Sequence, residues 1–83
     1  MAVSFTDREL DVMAVLWDHG PATVAEVRDR LEDPLASTTV LTVLRTLEDK
    51  GHVGHEEVGR AYRYHAAVAR EAAGESALRR MLG

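Results

Sequence analysis

Apolar residues recur at three- and four-residue spacing in three consecutive stretches: Leu10, Met13, Leu16 and Trp17; Val24, Val27 and Leu31; Val40, Val43, Leu44 and Leu47. Each is the stripe of a helix buried on one side, with Val12 and Val15 flanking the first. After Gly51 the period changes to two. In Arg60-Ala61-Tyr62-Arg63-Tyr64-His65 the tyrosines fall on one face and Ala61, Arg63 and His65 on the other, the alternation of a strand. His52 to Glu57 precedes it across Val58-Gly59, so a hairpin with Gly59 in its turn is expected. The pattern predicts three helices and then a small hairpin.

Punctuation agrees with the periodicity. Thr6-Asp7-Arg8-Glu9 and Thr23-Val24-Ala25-Glu26 both read as capping boxes, and Phe5 can staple onto Leu10. Gly20-Pro21 should close the first helix and Pro34 the second. Ser37 or Thr38 is the expected N-cap of the third, and Lys50-Gly51 its end. Residues 66–82 read as a trailing helix with Val68, Ala72, Leu78, Met81 and Leu82 on its apolar side, weakened at Gly74 by about 1 kcal/mol relative to Ala. That tail either packs on the preceding domain, begins a dimerisation region, or frays. The expected fold is mainly α with a small β-hairpin. It is a winged helix-turn-helix of three helices, a wing and a trailing C-terminal helix.

The third helix carries the candidate chemistry. Opposite its apolar stripe stand Thr38, Thr39, Thr42, Arg45 and Thr46, and no carboxylate occurs before Glu48. A generic solvent face is richer in Glu and Lys. Threonine and arginine can meet base edges and phosphate oxygens in a major groove, where carboxylates would repel the backbone. A core helix with a bland exterior is the competing reading. Arg60, at the wing tip, is placed to reach a phosphate or the minor groove.

Charge first argues against nucleic acid, since the 83 residues carry a net −4. The distribution weakens that objection. Residues 1–35 hold three Arg against eight Asp and Glu, residues 36–65 are balanced, and residues 66–83 are net +1. Affinity follows the local field at the contact surface, so modest, salt-sensitive binding is expected. At this length a core buries only about 60% of the unfolded surface, which leaves room for one domain. No cysteine is present, which removes thiol chemistry and disulfides and suits a reducing cytosol. The first residues show neither a basic leader nor a long apolar run, so a cytoplasmic location is expected. There is no phosphate loop and no nucleophile elbow. Four histidines, His19, His52, His55 and His65, offer at most a weak His55–His65 pair across the hairpin. Neither an enzyme nor a cofactor is indicated.

These residues, in this order, resemble the winged-helix repressors of the penicillinase-repressor group, the BlaI/MecI family, which includes copper-responsive CopY-type members. The similar stretches are Phe5 to Glu9 with Trp17, Gly20 to Val24 with Glu26 and Val27, Thr38 to Leu44 with Leu47, Lys50-Gly51, and Gly59 to Tyr62 with Tyr64. The resemblance implies a transcriptional repressor that binds palindromic operators as a dimer, with the third helix in the major groove of double-stranded DNA. Residues 1–65 would be the DNA-binding domain and 66–83 the start of a C-terminal helical dimerisation region, the chain being read as truncated. Ser37, Thr38, Thr39 and Thr42 match the DNA-facing front of the recognition helix. Arg45 and Thr46 lie further along it, although relatives often carry a basic residue at the Thr46 position. Arg60 matches the wing arginine, and Ser37, Lys50 and Arg60 are expected to hold the backbone. In antibiotic-responsive members a signalling protease cuts the C-terminal region. Copper-responsive members use cysteine-rich motifs, which this chain lacks. A winged-helix module that binds protein through Tyr62, Tyr64 and the tail, without DNA, is the alternative. A winged-helix regulator with a small-molecule effector ranks third.

Overall fold

A computed structural model describes residues 5–73. The chain runs α1 (Asp7–His19), β1 (Ala22–Thr23), α2 (Val24–Arg30), α3 (Ser37–Asp49), β2 (Val53–Val58) and β3 (Ala61–Ala66), then a short 3₁₀ turn over Arg70–Ala73. Both capping boxes form. Thr6 Oγ1 accepts from Glu9 N while Glu9 Oε1 accepts from Thr6 N, and Thr23 and Glu26 repeat the exchange. At Glu26 the bond from the Thr23 backbone N–H holds the carboxyl below its ordinary range. Two boundaries differ from expectation. α2 stops at Arg30, with Leu31 already extended, rather than running to Pro34. Proline disfavours helical dihedrals only at Asp33, whereas the last helical bonds run from Leu31 N to Val27 O and Arg28 O. α3 begins one residue early, so Ala36 is its N-cap and makes no side-chain cap bond.

α1 packs against α2, α3 and β3, which is why its buried arc is wider than one stripe. Val12 and Met13 are fully enclosed, with Leu10, Val15 and Leu16 beside them. Val27, Val40, Leu44, Leu47, Val53, Ala22 and Tyr64 complete the core, and Phe5 closes its edge. Val43, read as part of the α3 stripe, is only partly buried. α3 ends in a Schellman arrangement: Gly51 N donates to Glu48 O and His52 N to Leu47 O, with Gly51 at φ 80°.

The hairpin is one element of a three-stranded antiparallel sheet in the order β1-β3-β2. β1, two residues long, pairs Ala22 with Tyr64 and Thr23 with Arg63. So short a strand has no periodicity to announce it. The wing turn is Gly59-Arg60, with Gly59 at φ 62° and no positive φ at Arg60, the pattern of a type II′ turn. This turn sets His55 opposite Tyr64 and His65 opposite Gly54. The suggested His55–His65 pairing is therefore absent, because a one-residue difference in register puts the two rings on opposite faces. Among the described residues no histidine-carboxylate cluster could hold a metal ion, and no helix is long and apolar enough to cross a membrane.

The trailing helix does not begin at residue 66. Ala66 ends β3, Ala67 N donates to His52 O, and Val68 and Arg70 return to α1. Trp17 receives them: its indole N–H donates to Val68 O at 2.9 Å, and the Arg70 guanidinium lies 5.7 Å over its ring while bonding Asp18. Trp17 is half-buried: it packs against the core and edge-on to Phe5, and it also docks the chain that follows β3. The expected apolar positions Leu78, Met81 and Leu82 lie outside the described residues.

Candidate nucleic-acid interface

The core fixes which side of α3 faces out. Val40, Leu44 and Leu47 are fully enclosed, so Thr38, Thr39, Thr42, Arg45 and Thr46 are exposed. The face is not covered by any other part of the described chain. Its first turn holds no acid, and its N-terminus has no side-chain cap. Two hydroxyls turn back onto the helix: Thr42 Oγ1 donates to Thr38 O at 2.9 Å and Thr46 Oγ1 to Thr42 O at 3.0 Å. Thr38, Thr39, Thr42 and Val43 line a shallow, open cleft of about 220 Å³.

Ser37 is half-buried at the front of the helix. Its Oγ accepts from Arg28 Nη1 at 2.7 Å, and Asp29 accepts from the same guanidinium. Arg28 sits on α2, and its periodicity marks only a wet side. It joins the start of α3 through space, so no sequence spacing could have nominated it.

Lys50, expected on a phosphate backbone, is half-exposed, and its Nζ lies 2.8 Å from Glu9 Oε2. Glu9 is 4% exposed and is the single buried charged residue among those described. Burial raises the proton affinity of its carboxyl. The bonds from Lys50 and Thr6, with the lysine charge, outweigh burial and hold the group below its ordinary range.

The wing is tied to α3 by His55, whose Nδ1 is 2.5 Å from Glu48 Oε2. The ring also contacts Tyr62 and Tyr64, at 4.8 and 5.4 Å between centroids. Tyr64 is buried, and burial, with the Glu48 charge nearby, raises its hydroxyl pKa. At the tip Arg60 is exposed, flanked by exposed Val58 and Tyr62. Asp11, Asp18, Glu32 and Asp33 line, together with Arg8 and Arg30, a cleft of about 380 Å³ between α1 and the end of α2. An acidic chain can thus present a face without carboxylates.

A helix-turn-helix with one helix side left open and acid-free, followed by a strapped two-stranded wing, defines a winged helix-turn-helix module of the kind used by transcription regulators. Residues 5–83 match the family model described as Penicillinase repressor, and the chain belongs to that family of transcriptional repressors. Among solved structures it is similar to BlaI of Bacillus licheniformis, studied in solution as a monomeric form in complex with the blaP half-operator. The two are 28% identical, with a TM-score of 0.72, over 87% of this chain and 90% of that one. Comparison with curated proteins finds no match.

Proposed function

We propose that this chain is a sequence-specific DNA-binding repressor that seats α3 in the major groove of an operator and rests the wing on the adjoining backbone. The observation that carries the reading is the open side of α3: five exposed residues, Thr38, Thr39, Thr42, Arg45 and Thr46, with no carboxylate among them. The operator-bound BlaI of similar fold supports it. Thr38, Thr39, Thr42, Arg45 and Thr46 meet base edges or nearby phosphates, and Ser37, Lys50 and Arg60 hold the backbone. Lys50 also pairs with Glu9. One module makes few phosphate contacts, so useful affinity calls for two copies on a palindrome, with half-sites separated by about one helical turn. Repression follows from occluding the promoter, in the cytoplasm, and a protease acting on a C-terminal region would relieve it.

Selection of bound duplexes from a random pool, followed by fluorescence anisotropy, tests the reading. The selected duplex should bind far more tightly than random duplex. Arg45→Ala should cost about 1–3 kcal/mol on the selected duplex and relax preference at one position. Equal affinity of the parent chain for selected and random duplexes refutes sequence-specific binding. It would favour a protein partner, for which exposed Tyr62 and Val58 at the wing tip are the natural surface.

A further inference from the structure

The α3 surface also says what kind of base it reads. Thr42 and Thr46 have turned their hydroxyl protons onto the carbonyls of Thr38 and Thr42. In that state neither hydroxyl has a proton for a base acceptor such as guanine O6 or N7. What remains for an outside partner is a methyl group and an oxygen lone pair. The cleft formed by Thr38, Thr39, Thr42 and Val43 has mostly carbon walls. It lies on the exposed side of the helix, beside Arg45. The major-groove edges of the four bases differ in one apolar feature: thymine alone carries a C5-methyl. A shallow, carbon-lined cleft on the exposed side of the helix complements that group.

We propose that this cleft seats the C5-methyl of one thymine in each half-site, so that the methyl itself determines specificity. The inference rests on the DNA-binding reading above and deepens it. Thr42 is the central residue, since its hydroxyl holds the methyl side of the rotamer outward. Arg45, one turn along, supplies the donor that Thr42 and Thr46 lack.

The test uses the selected duplex with each thymine replaced, one at a time, by deoxyuridine, which removes only the methyl. Burial of one methyl corresponds to about a fourfold change in affinity. One thymine per half-site should show that loss, and the rest should show none. Thr42→Ser, which keeps the hydroxyl and removes the methyl, should bind thymine and uracil duplexes equally. Thr42→Val, which keeps a methyl, should retain the discrimination. Position 42 is exposed, so both variants should fold, and circular dichroism checks this. Indifference to every thymine-to-uracil change overturns the proposal while leaving DNA binding intact. The same uracil penalty in Thr42→Ser as in the parent chain overturns the assignment to this cleft. A pool that yields no preferred duplex removes the DNA-binding reading and this inference together.

Discussion

Glu9 shows how much one side chain can join. One carboxylate oxygen accepts from the Thr6 backbone and the other faces Lys50, so the same residue caps α1 and holds the far end of α3. The capping box is legible in Thr6-Asp7-Arg8-Glu9 because its partners lie three residues apart. The lysine lies 41 residues away, and nothing local nominates it. Folding favours the ionised carboxylate, so its contribution is present above the ordinary glutamate range and lost as pH falls through the lower folded value. Glu9→Gln should therefore cost about 1–2 kcal/mol at neutral pH, the range of a charge-assisted bond to a half-exposed lysine. In urea titrations the gap between the parent chain and the variant should close as the solution is acidified below the carboxylate range. A gap that stays constant into acid would mean that the Glu9 charge adds nothing. Arg60 belongs to the same scale. Arg60→Ala should weaken binding to all duplexes alike and flatten the plot of log affinity against log salt by about one unit. An unchanged slope removes Arg60 from the contacts.

The helices are readable as elements because each carries a periodic stripe and a glycine or proline near its end, and α1 and α2 also carry a box at the start. Where the reading slipped, at Ala36 and at Arg30, it slipped by a few residues at ends where no side chain enforces the boundary. The wing was legible from the Tyr62 and Tyr64 alternation, but its attachment was not. β1 is two residues that mean nothing until β3 lies beside them. The His55–Glu48 contact joins a strand to the preceding helix through a register that the Gly59-Arg60 turn decides. That contact is half-exposed, so His55→Ala should change global stability by less than about 1 kcal/mol. It should still free the wing. Amide exchange across Glu56–Tyr62 should accelerate in the variant while α1 stays protected, and affinity for the selected duplex should fall severalfold. Unaltered exchange in the wing would show that Tyr64 packing alone holds it.

At the scale of the molecule, the net charge of −4 misleads until the chain is folded. Asp11, Asp18, Glu32 and Asp33 then line one cleft together with Arg8 and Arg30, while α3 carries no acid from Ser37 to Leu47. The linear order of residues was enough for three helices, a wing, the open side of α3 and its family, because period, caps and glycines act over three to seven residues. Folding alone decided that Lys50 pairs with Glu9, that Arg28 reaches Ser37, that Trp17 receives Val68 and Arg70, and that His55 meets Glu48 rather than His65. Each of these joins residues from different elements. Which partner is met depends on how the buried faces of α1, α3 and β3 fit together, and that packing is a property of the assembled core that no short stretch of chain encodes.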